Sequence, residues 1–401
     1  MKELRYKLSH LPRNTVMIYL LLALIISSPA IFADAVNSTV KTVNPTDTKK
    51  SSEVTTQDKN VNNIFAQFMS WALDANLTES NINLGSAVEK LPLKKEIVVA
   101  VVDTGIDPNH PFLKDNVTVI EGSKSATSFG KDFSKNSKNI SAPTDEHGHG
   151  THVAGIIRSV FPEVKILALK YYNPSASGQD NLESTVKALR YAVENNVDVI
   201  NYSGGGPEAS SEEKAVLLEA EKKGILVVAA AGNEKSNIDE KQNAYYPASY
   251  RLSNILTVTA HDQSLAILSS SNWGKNTVDL SAPGYRIKSS IPDGRAGYMT
   301  GTSQSTAFVS GLAAKIKAAY PEMDMKQLKK TIIDAAAKVK SFEGKSASAG
   351  KLDANRAATL AGQYSGFKVV QNKLAADKKR AVANKKEKET QQKKVRFFQV
   401  Q

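Results

Sequence analysis

The sequence predicts an α/β fold of three layers, with a mostly parallel central sheet and helices on both faces. Three observations carry this expectation. Apolar runs of strand length recur at Ile97 to Val102, Val164 to Leu169, Val197 to Tyr202 and Ile225 to Ala231. Stretches with apolar residues at helical spacing separate several of them. The runs lack the polar alternation of half-exposed strands, so both faces should be covered, as in a parallel sheet between helices.

The elements follow in order. Lys2, Arg5, Lys7 and Arg13 precede an apolar run from Val16 to Ile26, which Ser27, Ser28 and Pro29 interrupt. With small residues at Ala33 and Ala35, residues 1–35 read as a secretory signal cleaved near Ala35. The apolar run is shorter than the ~20 residues needed to span a bilayer, which favours cleavage over a retained anchor. Residues 36–62, rich in Ser, Thr, Asn and Lys, are expected to be a flexible linker or a reduced pro-segment. Ile64, Phe65, Phe68, Met69, Trp71 and Leu73 have helical spacing and place the start of the folded part near residue 63. Leu182, Val186, Leu189 and Val193 predict a helix stopped by Asn195 and Asn196. Ser210 and Glu213 form a capping-box pattern for a helix ending at Gly224. Phe308, Leu312, Ile316 and Tyr320 mark a further helix. Asp324 and Gln327 can cap a last one bearing Met325, Leu328, Ile332 and Val339. The folded domain is expected to span 63–363, followed by a Lys-rich tail over 364–401.

Composition narrows the function classes. In 401 residues, 41% hydrophobic and 23% charged side chains exclude a wholly disordered, collagen-like or polytopic membrane protein. The net charge of +12 belongs to the ends, since residues 366–401 carry +8 and residues 1–35 carry +2. A nucleic-acid-binding core is therefore not expected. The tail reads as a solvated extension, with contact to an anionic surface as its functional alternative. The absence of cysteine excludes disulfides, Cys-ligated zinc and a thiol nucleophile.

Three separated segments hold reactive groups. Asp103 ends the strand run in Val102-Asp103-Thr104-Gly105. His149 lies in Gly148-His149-Gly150-Thr151-His152, a glycine-rich turn entering a helix. Ser303 follows Gly301-Thr302, just before the Phe308 helix pattern. In an open parallel sheet, functional groups gather at the carboxyl ends of strands and at helix N-termini, and all three fit. A serine hydroxyl needs a base to become a nucleophile, an imidazole suits that task near neutral pH, and a carboxylate fixes its tautomer.

These segments resemble the signatures of the subtilisin-like serine proteases (subtilases, peptidase S8), in the family order Asp, His, Ser. Further segments are similar: Val197 to Ser203 followed by Gly204-Gly205-Gly206-Pro207, Ala229-Ala230-Ala231-Gly232-Asn233, Tyr246-Pro247-Ala248, Ser281-Ala282-Pro283-Gly284, and Gly350 to Ala354. The resemblance implies the three-layer subtilisin-like fold and a serine endopeptidase acting on polypeptides, which the leader would make secreted or periplasmic after cleavage near Ala35. It implies Asp103, His149 and Ser303 as the catalytic residues and Asn233 as an oxyanion donor. Ser203, Gly204 and Gly205 would line the substrate cleft, and Gly232 would wall the pocket for the side chain before the scissile bond. No cofactor is required for such chemistry. A monomer is expected, with no nucleic-acid partner.

Some positions depart from the family pattern. Gln304-Ser305-Thr306-Ala307 stands where Met-Ala-Ala-Pro usually follows the serine. A helix should still form, because proline in a first turn is tolerated rather than required. The segment from His152 to Val164 is too short for the Asn-rich calcium loop of many members. A structural calcium ion is conceivable, but none is predicted and no metal ligand is assigned. Two rival readings stay open: a catalytically silent peptide-binding protein, and a metal-dependent hydrolase using His147, His149 and His152. Asp107 and Asp145 read as structural turn residues.

Overall fold

A computed structural model describes residues 66–366, except 78, 118–128 and 138. The predicted leader, the linker and the tail beyond 366 lie outside the described residues.

The apolar runs form strands that assemble one sheet. In chain order these are β1 (Val98–Asp103), β2 (Gly130–Asp132), β3 (Lys165–Lys170), β4 (Val199–Tyr202), β5 (Leu226–Ala230), β6 (Ile255–His261) and β7 (Leu280–Pro283). A hairpin of β8 (Ile287–Ile291) and β9 (Arg295–Met299) stands apart, and β10 (Ala337–Lys338) and β11 (Gly350–Lys351) complete the set. The nine-stranded order is β10-β11-β7-β6-β5-β4-β1-β3-β2, parallel throughout except for the β10–β11 pair. Strands β4 to β7 add on one side of β1, whereas β3 and β2 lie on the other. Such a reversal opens a crevice at the carboxyl ends of the strands beside it.

The helices are α1 (Ser86–Glu89), α2 (His149–Val160), α3 (Gly178–Glu194), α4 (Ser211–Lys222), α5 (Thr302–Ala319) and α6 (Met325–Ala335), with a last helical stretch over 354–366. Alternate strand residues serve two cores. Val99, Val101, Val199 and Val228 pack with Ile156, Ile157, Phe308 and Leu312 of α2 and α5. Ala100, Val102, Ile200 and Val227 pack with Leu189, Val193, Val216 and Leu217 of α3 and α4. A strand buried on both faces must be apolar at every position, which is why these runs show no alternation.

Helix α5 is the central one, with every residue from Thr302 to Ile316 buried. Two of its buried hydroxyls find acceptors on neighbouring strands. The Ser305 hydroxyl donates to the carbonyls of Ala282 and Pro283, and the Ser310 hydroxyl to Asn201 Oδ1. Ala307 sits inside this helix, so it forms without proline as expected. At Gly311 the helix lies against α2; a Cβ there would come within 2.8 Å of Val160 Cβ and 2.9 Å of the Ile157 carbonyl oxygen.

Three expectations are adjusted. The pattern near residue 63 gives a helical turn at 66–68 and a 3-10 turn at Trp71–Leu73 instead of one helix, because the Ser70 side chain accepts from Ala72 N–H and starts a new cap. Val339 is not on α6, which ends at Ala335 before β10. The capping box at α4 is half-made. Ser210 Oγ accepts from Glu213 N–H at 3.1 Å, but Ser210 N–H donates to the Tyr250 hydroxyl. The Glu213 carboxylate is instead buried against the Tyr202 hydroxyl. Among the described residues, no helix is long and apolar enough to cross a membrane.

Candidate active site

Asp103 closes β1 and is 3% exposed at its side chain. Its Oδ1 accepts from the Thr104 N–H at 2.8 Å and from His149 Nδ1 at 2.7 Å. A carboxylate at Nδ1 places the imidazole proton there and leaves the Nε2 lone pair outward. Burial pulls the His149 pKa down, but the charge of Asp103, the hydrogen bond to it and the charge of Asp145 outweigh burial and raise it above 6.5.

His149 is the first residue of α2, and its position is fixed by Asp145. Asp145 Oδ1 accepts from Thr104 Oγ1, His147 N–H and Gly148 N–H at 2.8, 3.0 and 2.7 Å. Its Oδ2 accepts from the N–H and hydroxyl of Thr151 at 2.9 and 2.7 Å. One buried carboxylate thus takes up orphan donors of the first helical turn and ties the helix to the end of β1. Gly148, with φ +96°, makes the turn, and Gly150 lets the helix approach; a Cβ at Gly150 would collide with the Gly105 carbonyl.

Ser303 is the second residue of α5 and 6% exposed. Its hydroxyl donates to the Ser203 carbonyl at 2.9 Å, while the Ser203 hydroxyl donates to the Ser303 carbonyl at 3.2 Å. Asn201 Nδ2 donates to Ser203 Oγ at 2.9 Å, which joins β4 to α5 through buried polar groups. No hydrogen bond joins Ser303 to His149 in this arrangement.

Strand register brings the two halves together. Val102 stands opposite Tyr202, and Tyr202 opposite Ala229. Asp103, the last residue of β1, and Ser203, the residue after β4, therefore follow a paired position on neighbouring strands about 4.8 Å apart in the pairing direction, and the chain beyond β5 carries Gly232 and Asn233. Asn233 is exposed, yet its Oδ1 is anchored by the Thr302 N–H at 3.0 Å and the Thr302 hydroxyl at 3.3 Å. That fixes the plane of its amide at the start of the helix that carries Ser303.

The three histidines do not converge on one point, although His147 and His149 stand edge to face at 6.4 Å. His152 is fully buried, with Nε2 on the Ile287 carbonyl at 3.0 Å, and burial lowers its pKa to about 4. His147 lies edge-on to Tyr172. Among the described residues, no group of three or more His, Asp or Glu side chains is placed to hold a metal ion. The Asp107 carboxylate receives N–H groups from Asn109 and Asp293, and its own N–H donates to the Thr151 hydroxyl at 3.0 Å.

Sequence reasoning missed several neighbours. Thr302 anchors Asn233 and also accepts from Gly232 N–H at 3.2 Å. Gln304 is buried, with Nε2 unpartnered. A cavity of about 290 Å³ lined by Tyr171, Tyr172, Tyr202, Gly205 and Tyr246 adjoins the β4 loop. The clustering of tyrosines at 171, 172, 245, 246 and 250 was the available signal, but their convergence needed the fold.

Comparison with known proteins agrees with this architecture. The Subtilase family (peptidase S8) signature matches residues 94–368. The chain is 36% identical to the major intracellular serine protease of Bacillus subtilis (strain 168) over 250 residues, covering 60% of this chain and 74% of that protein. It is 31% identical to a thermostable alkaline protease of Halalkalibacterium halodurans over 297 residues, covering 72% and 73%. A crystal structure of a cold-adapted subtilisin-like serine proteinase superposes with a TM-score of 0.55 at 26% identity, over 67% of this chain and 97% of that one. A structure from a study of subtilase cytotoxin assembly, at 24% identity and a TM-score of 0.61 over 73% and 98%, shares the fold. The protein belongs to the subtilase family and is a serine-type endopeptidase.

Proposed function

We propose that Ser303, His149 and Asp103 carry out the peptide hydrolysis, with Asn233 Nδ2 and the Ser303 N–H receiving the oxyanion. The observation that supports this most is the shared carboxyl edge: β1, β4 and β5 end side by side, and each leads to a part of the site. Ser303 Oγ attacks the substrate carbonyl while His149 Nε2 takes its proton and passes it to the leaving amine. Water then attacks the acyl ester with His149 as base, and the proton returns to Ser303 Oγ as the acid leaves. Asp103 holds the imidazole and stabilises its cation. The resting hydroxyl donates to Ser203, so attack requires it to exchange that acceptor for His149 Nε2. The Ser303 N–H, in the first turn of α5, has no acceptor among the described residues and faces the same side as the dipole's positive end.

Ser203, Gly204 and Gly205 would pair with an extended polypeptide as an added strand, and Gly232 would border the neighbouring side chain. No cofactor takes part. The leader composition supports secretion after cleavage near Ala35, and the Lys-rich 364–401 segment is read as a solvated extension of a monomer.

A fluorophosphonate probe should label the intact chain on Ser303, with casein hydrolysed in parallel. Ser303→Ala should abolish both. Labelling that survives the substitution would place the nucleophile elsewhere, and peptide binding without labelling would leave the non-catalytic reading.

A further inference from the structure

Gly205 and Gly232 lie on the two chain segments that would flank the substrate residue before the scissile bond. The space between them is occupied. A Cβ added at Gly205 would lie 2.5 Å from Tyr245 Cε1 and 3.0 Å from its Cζ, and one at Gly232 would lie 3.0 Å from Tyr245 Cδ2. Cε1 and Cδ2 are on opposite edges of one ring, so the phenol spans the gap from wall to wall.

The ring is held firmly. Tyr245 N–H donates to Ser249 Oγ at 3.0 Å, and Ser249 N–H returns to the Tyr245 carbonyl at 2.8 Å. The next residue, Tyr246, exchanges two backbone hydrogen bonds with Gly206, at 2.7 and 3.0 Å. The ring also packs on the Ala231, Ile238, Ala248 and Val278 cluster. Beside Gly232, the Glu234 carboxylate narrows the space further and is fixed by Asn272 Nδ2 at 2.5 Å. Opening this gap by rotating the ring would take the phenol out of a packed cluster, while the backbone ties keep its Cα from retreating.

We propose that Tyr245 sets the cleavage specificity of this protease by filling the space between Gly205 and Gly232, so that only Gly, Ala or Ser is accepted immediately before the scissile bond. The inference rests on the placement of the substrate cleft proposed above. A large side chain would have to overlap the ring, and overfilling a packed site is itself penalised. Removing the ring would exchange that exclusion for an apolar recess.

The test separates binding from chemistry. In the full chain carrying Ser303→Ala, product-like peptides ending in Ala or in Phe are titrated by NMR, and the comparison is repeated with Tyr245→Gly and the milder Tyr245→Ser added. The Ala-ending peptide should bind at least about tenfold more tightly with Tyr245 present, and Tyr245→Gly should bring the Phe-ending peptide to equal or better affinity. Equal affinities with Tyr245 intact would overturn the proposal, as would failure of both peptides to bind. Folded Tyr245 variants that gain no Phe affinity would do the same. Because the titration needs no turnover, a failure of Ser303 to react with the phosphonate probe would sink the catalytic assignment alone.

Discussion

Asn233 shows how a residue can be both exposed and ordered. Its carbonyl oxygen takes two donors from Thr302, one of them the N–H directly before Ser303, so the amide group cannot rotate freely. An oriented donor of this kind stabilises developing charge without reorganising at the moment of reaction. Asn233→Ala should therefore lower kcat about 10²–10³-fold with little change in KM, read by steady-state kinetics on a peptide substrate. A KM effect with kcat unchanged would show that the amide contacts the ground state instead. His149 is the converse case. Its raised pKa comes from Asp103 on a distant segment and from Asp145 four residues upstream in its own turn, and only the fold brings the first of these against the ring.

At the level of elements, the decisive joint is between β1 and α2. Asp145 gathers five hydrogen bonds from Thr104, His147, Gly148 and Thr151, and the helix it holds begins with His149. Asp145→Ala should cost about 2–4 kcal/mol of stability, since a helix cap and several buried donors lose their acceptor together. It should also lower kcat by loosening the imidazole. Urea unfolding and kinetics on the same preparation check both. A variant with native stability and reduced activity would make Asp145 a participant in the chemistry, and one with neither change would remove its role. Local patterns foretold the caps by Asp324 and Ser210 because capping is a contact between near neighbours. They did not foretell that Glu213 would turn away to Tyr202, which is a tertiary contact.

Across the whole molecule, buried imidazoles make the fold sensitive to acid. His261 lies between the Ser281 hydroxyl at 2.9 Å and the Ser80 carbonyl at 3.2 Å, joining β6 to the segment before α1. Burial lowers its pKa from 6.5 to about 4, as it does for His152. Between those values the unfolded chain binds the proton and the folded one does not. Stability is therefore complete above pH 6.5 and is lost as pH falls towards 4, by about 3 kcal/mol for each such group. His149, shifted upward, acts in the opposite sense, contributing below 6.5 and losing its contribution as pH rises through its folded value. In denaturant titrations at pH 7, 5.5 and 4.5, His261→Gln should flatten the acid loss relative to the unchanged chain. Parallel slopes would show that His261 is not the group that titrates.

The sequence by itself determined the three-layer parallel architecture, because strands buried on both faces must be apolar at successive positions and the helices between them must carry the 3.6-residue period. It also marked Asp103, His149 and Ser303 as candidates, since each stands at a strand end or helix start, whereas Asn233 came only from the resemblance to the subtilases. What only the tertiary structure decided was how those ends meet: the register that sets Asp103 beside Ser203, the hydroxyl of Ser303 resting on the Ser203 carbonyl, and the Tyr245 ring lodged between two distant glycines. Period and capping are properties of neighbours along the chain. The width of a cleft depends on side chains brought together from segments far apart, and no local pattern encodes that distance.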